Sequence, residues 1–202
     1  MAIPCETIIT LRRRYVQLIG EVAKEKYAAI SNREHELLAI QYLCCMEDVQ
    51  NIAESIKNRL CQSRTDDLRR GVTGFGVHRE DVLLTLSGRE MKVFASQGQI
   101  RTAALSMKLA QLEIFRQEAG EAPILLLDDV MSELDMSRRK RLLQEMDGIQ
   151  TFITCTDESD LEGCTEKRSY QVSAGEDGIA QIRENSEGEM IDQEQAMTDL
   201  DF

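Results

Sequence analysis

Tryptophan is absent from the 202 residues, aromatics make up only 4% of them, and the apolar 42% is therefore mostly aliphatic. Such a composition favours helices and sheet packed through branched aliphatic side chains. No apolar run approaches the ~18 residues of a membrane span, and residues 1–15 lack the apolar core of a signal peptide, so a cytoplasmic protein that does not enter a membrane is expected. None of the 12 glycines is followed by lysine. A phosphate-cradling loop needs glycines and then Lys and Ser/Thr at fixed spacing, so that amides wrap a phosphate and the ammonium reaches it. These residues contain no such loop. Gly74-Phe75-Gly76 is the nearest glycine pair, but His78-Arg79 follow it and no third glycine completes a dinucleotide fingerprint. Excess basic charge is missing too: the net charge of −12 and pI near 4.7 exclude a uniformly basic nucleic-acid surface, so any DNA contact must be local. The six cysteines lack paired metal-ligand spacing, and vicinal Cys44-Cys45 is a poor start for a zinc site. Reduced, mostly buried thiols are expected.

A chain of this length buries one core, or a core and an arm. Ile8, Leu11, Tyr15, Leu18 and Val22 alternate spacings of three and four, the seam of a helix that packs either on a globular neighbour or in a coiled coil. Leu38, Ile40 and Tyr42 alternate as a strand, and Val49, Ile52, Ile56 and Leu60 mark a second amphipathic helix. Val82, Leu84 and Leu86 predict a strand that turns at Ser87-Gly88-Arg89 into Met91-Lys92-Val93. A helix follows over about Gly98 to Glu118, stopped by Gly120 and Pro123. Ile124 to Leu127 and Thr151 to Thr154 read as buried parallel strands joined by a helix holding Leu142, Leu143 and Met146. A weak strand pair flanks Gly175 to Gly178. Residues 184–202 hold seven acids and no Lys or Arg, a tail with nothing to fold around.

Three stretches carry chemistry. Ser96-Gln97-Gly98-Gln99 opens the long helix; by itself it is an ordinary cap worth ~1 kcal/mol, and it also offers amides and a hydroxyl to an anion. Asp128-Asp129 end an apolar strand, where parallel sheets present their ligand side; alone they are a strand meeting solvent. Ser132-Glu133-Leu134-Asp135 follow. Arg12-Arg13-Arg14, Arg69-Arg70 and Arg138-Arg139-Lys140-Arg141 are either solvated faces or phosphate contacts. Without interleaved aromatics, any DNA binding is backbone-directed and not sequence-specific.

These blocks, together with Gly76-Val77-His78-Arg79-Glu80-Asp81 and the run from Ser96 to Ser106, resemble in order the C-terminal half of the RecF family, bacterial DNA replication and repair ATPases related to ABC and SMC ATPases. The likeness covers about residues 5–160. It departs at Val77, where the family usually has Pro, and at Glu80, where it has Asp; most members also bring an N-terminal half carrying the phosphate loop. The resemblance implies an α/β fold, the C-terminal lobe of an ABC-type ATPase with an α-helical arm. Residues 1–70 would be the arm, 71–175 the lobe with signature, Walker B and D-loop, and 176–202 an acidic tail. It implies ATP and Mg²⁺ as cofactors, with Asp128 in the metal shell and Asp129, replacing the commoner Glu, handling the attacking water. Ser96, Gln97, Gly98, Gln99 and Asp135 would meet the γ-phosphate held by the opposite protomer of an ATP-dependent homodimer. Thr154-Cys155-Thr156 stands where many ABC proteins have a sensor His, which would leave sensing to a hydroxyl. His78 and Arg79 would face DNA or that interface, and Arg138, Arg139 and Arg141 DNA. The complete protein would bind gapped and single-stranded DNA with the RecO and RecR mediators in repair and SOS induction. The alternatives are another SMC-like ATPase, or a catalytically silent fragment or subunit that supplies only the signature face.

Overall fold

The computed structural model describes residues 2–33, 35–46, 51–164, 167–174 and 179–185. The chain divides into two compact units, Met1–Glu162 and Gly163–Phe202.

The first unit begins with a 30-residue helix, α1 (Ala2–Ser31), then β1 (Leu38–Leu43) and helix α2 (Ile52–Arg70). Strands β2 (Asp81–Leu86) and β3 (Arg89–Glu90) lead through a helical turn, α3 (Met91–Phe94), into helix α4 (Gln97–Ala119). Strand β4 (Leu125–Asp128), helix α5 (Met136–Glu145) and strand β5 (Thr151–Thr154) complete it. β1, β2 and β3 form an antiparallel sheet with Leu38 opposite Leu86, whereas β4 and β5 pair in parallel with Leu125 beside Thr151. The parallel pair needs a crossover, which α5 supplies.

Helix α1 forms as expected, but its inward stripe lies one residue further along. Ile9, Ala23, Tyr27 and Ile30 are buried, while Ile8, Leu11 and Tyr15 are 36%, 48% and 38% exposed. One residue turns a helix by about 100°; two apolar stripes run side by side here, and spacing alone did not separate them. Ile9 packs with Ile52 and Ile56 of α2, and Ala23 and Tyr27 pack with Ala103 and Ala110 of α4. The small side chains of α4 permit that approach. Its buried Thr102 and Ser106 return their hydroxyls to carbonyls four residues back, Gly98 and Thr102, at 2.7 Å each, so neither is left unsatisfied. The sequence division at residue 70 is crossed by both contacts: β1 shares a sheet with β2, and α1 a core with α4.

The strand expected at Met91-Lys92-Val93 is a correction. β3 is two residues long, and Met91–Phe94 is helical. A strand would send Met91 and Val93 to the same face; instead Met91 is 4% exposed and Val93 66%, because the chain winds at once to sink Met91 into the α1/α4 core. Around β4, Leu125, Leu127, Leu109, Leu134 and Leu142 form the other main core. Among the described residues only one face of the parallel sheet is covered: Ile124, Leu126 and Phe152 are 56%, 73% and 58% exposed.

In the second unit β6 (Ser169–Ala174) and β7 (Ala180–Asn185) pair antiparallel, Ser169 opposite Asn185. Of the acidic tail, Glu184 and Asn185 belong to β7, and residues 186–202 lie outside the described residues.

Candidate functional site

Helix α4 starts from a reciprocal cap. The Ser96 hydroxyl accepts the Gln99 N–H at 3.3 Å, and Gln99 Oε1 accepts the Ser96 N–H at 2.8 Å. The amides of Gln97 and Gly98 find no acceptor among the described residues, so the helix keeps two donors and the favourable end of its dipole for an anion. Gln99 itself is fully engaged, since its Nε2 donates to Glu36 Oε1 at 2.9 Å. Glu36, in the connection between α1 and β1, is 8% exposed and also accepts from the Tyr27 hydroxyl and Arg33 Nη1, both at 2.8 Å. Burial alone would raise its pKa; the hydrogen bonds from Arg33, Tyr27 and Gln99 outweigh that and hold it below the ordinary value. Burial and the same carboxylate push the Tyr27 phenol up, keeping it a donor. Of the residues expected to meet nucleotide, Gln99 therefore shapes the turn, while the Ser96 O–H, the two amides and the exposed Gln97 remain for a ligand.

The opposite wall comes from the start of α5. Asp135 caps that helix by accepting the Arg138 N–H at 3.0 Å, and its second oxygen lies 3.5 Å from Arg138 Nε. The Arg138 guanidinium rests on the signature turn: a Cβ at Gly98 would come within 2.8 Å of its Nη1. A larger residue there would push the guanidinium aside. Arg101 of α4 pairs with Glu133 at 2.9 Å, a second tie between the same two segments. The structure thus brings Ser96–Gly98 and Asp135 together around Arg138, a candidate for DNA contact.

Asp128 and Asp129 are both exposed at the end of β4. The Thr154 hydroxyl donates to Asp128 Oδ1 at 2.5 Å and accepts the Asp129 N–H at 3.0 Å. One neighbouring strand thereby fixes the first carboxylate and the backbone of the second. Asp129 sits at φ +51°, a left-handed conformation unfavourable for a residue with a Cβ, and its carbonyl accepts from Ser132 Oγ at 2.9 Å. Thr154 is thus occupied as an organiser of the aspartates. No hydrogen bond or ion pair joins this pair directly to Ser96–Gly98 among the described residues.

The arginines of the basic run on α5, candidates for DNA contact, are each engaged within the protein. Arg138 is drawn to Gly98, with its side chain 15% exposed; Arg139 donates to the Leu134 carbonyl at 2.8 Å and pairs with buried Asp160; Arg141 reaches the Ile30 carbonyl at 3.4 Å. Helical spacing sent each to a different neighbour. Arg12 is likewise tied, to the Val77 carbonyl at 2.6 Å and Glu80 at 2.9 Å, and Arg13 to the Met46 carbonyl at 2.7 Å. His78 and Arg79 stay exposed on a single helical turn, the His78 ring held at 2.9 Å from the Thr73 carbonyl.

That turn is anchored by Glu80, whose side chain is fully buried. It accepts from Arg12, from the Tyr42 hydroxyl and, at 3.2 Å, from the Cys45 N–H. Burial raises its pKa, but the bonds from Tyr42, Cys45 and Arg12 prevail and lower it. Cys44, Cys45 and Glu80 place potential ligand atoms within 4.8 Å of one another. The chemistry opposes a metal: the carboxylate is saturated with donors, a guanidinium is 2.9 Å away, and burial with Glu80 pushes the Cys45 thiol up to about 12, far from the thiolate a metal binds. This is a structural hub.

No family model matches the chain. Curated relatives do. The DNA replication and repair protein RecF of Caldanaerobacter subterraneus subsp. tengcongensis is 44% identical over 77% of this chain and 43% of its own length. That of Lactobacillus delbrueckii subsp. bulgaricus is 38% identical over 93% of this chain and 50% of its own length. A solved structure of the recombination mediator protein RecF-ATPrS of the RecFOR pathway superposes with TM-score 0.73 at 41% identity, over 90% of this chain and 48% of that one. The chain matches the C-terminal half of RecF. It spans about half the length of the RecF proteins it matches. A structure from work on SMC ATPases superposes over 93% of the chain with TM-score 0.52 at 15% identity, a likeness of fold.

Proposed function

We propose that this chain is the signature-bearing half of a RecF-type DNA replication and repair ATPase, and that it acts when joined to a half carrying the phosphate loop. The observation that carries this reading is the signature turn itself: a capped helix start with two free amides and a free hydroxyl, walled by Arg138 and Asp135. A γ-phosphate offered by an opposing protomer supplies the anion such a start lacks. Dimerisation then depends on ATP.

At the other end of the lobe, Asp128 offers an oxygen-only donor set, one oxygen steered by Thr154 and the other open, which suits a hard cation such as Mg²⁺. That cation would neutralise phosphate charge. Asp128 would hold it, and Asp129 would orient and accept a proton from water, its backbone fixed by Thr154 and Ser132. The apolar face of β4 and β5 gives the phosphate-loop half its seat, since parallel sheets are normally covered on both sides. The complete protein would bind DNA at single-strand gaps and work with RecO and RecR in repair and SOS induction. Phosphate contacts would fall to the exposed Arg14, Arg70, Arg79 and Lys140 rather than to the engaged arginines of α5.

A chimera joining this chain to the N-terminal half of the Caldanaerobacter relative tests the reading. Ser96→Arg should leave ATP binding nearly intact and abolish assembly on a non-hydrolysable ATP analogue, read by light scattering. Asp129→Asn should bind but turn over slowly, and Asp128→Asn should also lose Mg²⁺-dependent affinity. Dimerisation of Ser96→Arg on nucleotide would remove the signature turn from the interface. The chain alone, which has no phosphate loop, equally suits a subunit lending its signature face to a catalytic partner; failure of the chimera to hydrolyse ATP while still assembling would favour that second reading.

A further inference from the structure

We propose that Glu36 is a positioning residue for the signature turn, acting through Gln99 to fix which of the donors at the start of α4 face a phosphate. The inference rests on the nucleotide-facing role proposed above for Ser96–Gly98.

Gln99 has two tasks with opposite ends of one amide. Its Oε1 takes the Ser96 N–H at 2.8 Å, and its Nε2 goes to Glu36 Oε1 at 2.9 Å. Were the amide free to rotate, its NH₂ would turn toward the Ser96 N–H, donor against donor, and the cap would open. A buried carboxylate accepts but never donates while ionised, so Glu36 dictates the orientation of the amide. Glu36 is in turn held by Tyr27, 0% exposed in the core between α1 and α4, and by Arg33. Its own backbone neighbours are pinned as well: the Ser87 hydroxyl donates to the His35 carbonyl at 2.9 Å, and Ser87 N–H to the Leu37 carbonyl at 2.8 Å. A connection 63 residues upstream of Gln99 therefore holds the signature rigidly to α1 and the antiparallel sheet. Arg138 braces the other side at Gly98. The turn is held between an acid that orients its glutamine and an arginine that lies against its glycine.

The test uses Glu36→Gln, Gln99→Glu, the double exchange, and Tyr27→Phe, in this chain and in the chimera. In the chain, Glu36→Gln should speed hydrogen exchange at the Ser96 and Gln99 amides about tenfold, the scale of losing a charged hydrogen bond. The double exchange restores a donor at residue 36 and an acceptor at residue 99, and should return exchange close to the starting rate. Tyr27→Phe removes one of the bonds that hold Glu36 but keeps the Gln99 contact, and should speed these two amides well below the tenfold of Glu36→Gln. Unchanged exchange in Glu36→Gln, or equal acceleration by Tyr27→Phe, would overturn the positioning role. In the chimera, Glu36→Gln should weaken assembly on the ATP analogue by about the same tenfold with nucleotide affinity of the single protomer intact. If Ser96→Arg abolishes assembly and Glu36→Gln leaves it unchanged, the inference fails while the interface stands. If neither variant affects assembly but exchange responds as expected, the positioning stands and the interface fails.

Discussion

The two ends of the first unit are finished to different degrees. Around the signature turn and the Glu80 hub, each buried carboxylate has three or more donors and the connecting loops are tied to strands or helices. The β4–β5 sheet has two strands, one bare apolar face and two exposed carboxylates. Polar groups taken from water must be paired inside the chain that buries them, so the hubs are self-contained. Apolar surface has no such requirement, and a face of this kind marks an interaction site. The difference is that the turn before α4 is tied down by hydrogen bonds within the chain, whereas one face of the carboxylate-ending strand is left apolar and exposed.

The largest break in that comparison comes from the bare face. Leu126→Glu with Phe152→Glu in this chain should abolish association with a separately expressed N-terminal half of the Caldanaerobacter relative, and with it ATP turnover, while leaving the melting temperature of the chain itself almost unmoved. Ultracentrifugation of the mixture with phosphate release reads both. Association of the double variant with unchanged affinity would mean the half docks elsewhere.

One residue along, the effect should invert. Leu127 faces the core at 7% exposure while Leu126 is 73% exposed. Leu127→Ala should cost about 2–5 kcal/mol and Leu126→Ala within about 0.5 kcal/mol, measured by urea denaturation. Similar costs would show that the sheet is covered on both faces in solution.

How much of this was legible follows from range. The helix cap at Ser96, the apolar strand ending in two aspartates and the parallel crossover are local patterns, and each appears where spacing put it. The grouping of the Ser96 turn with Asp135 came from the family resemblance, and in the structure Arg138 lies between Gly98 and Asp135. Glu36 gave no signal, because its three donors come from two helices and a loop, and nothing in a lone acid before a strand announces them. The separate engagements of the α5 arginines were hidden for a related reason: a run of like charges is uniform in sequence, but at 100° per residue each side chain meets a different neighbour. The inward stripe of α1 was off by one residue because Ile8 and Ile9, Leu18 and Ile19, and Val22 and Ala23 offer two seams of nearly equal apolarity.

Acid should loosen the hubs before the bare sheet. The folded-state pKa values of Glu36 and Glu80 lie below the ordinary carboxylate value of 4.5, since hydrogen bonding outweighs burial at both. A depressed folded pKa means the unfolded chain binds protons first as pH falls; the stabilisation is present above about pH 4.5 and is lost as pH drops through the folded values. These two groups should therefore leave the melting temperature flat at neutral pH and steepen its fall below about 4.5. Glu80→Gln should lower stability at neutral pH and flatten the acid limb. An acid limb identical in slope to the parent would show that Glu80 titrates alike in both states.

The smallest effect concerns the cysteine at the edge of the Glu80 hub, and it separates a partnered group from a merely covered one. Cys61 is exposed, whereas Cys45 is half-buried with its pKa pushed up to about 12, first by burial and then by Glu80. The thiolate is the species that reacts, so at pH 8 Cys45 should alkylate far more slowly than Cys61, beyond what partial burial alone would give. Glu80→Gln keeps the shape of the site and removes the negative charge, so it should speed Cys45 labelling modestly without altering Cys61. Timed iodoacetamide labelling with peptide mass mapping measures both in one sample. If Cys45 labels as fast as Cys61 in the parent, the hub is open to solvent and its carboxylate does not govern the thiol. If labelling is slow but Glu80→Gln leaves it unchanged, coverage alone protects Cys45, and the rigidity attributed to the partnered carboxylate belongs to packing.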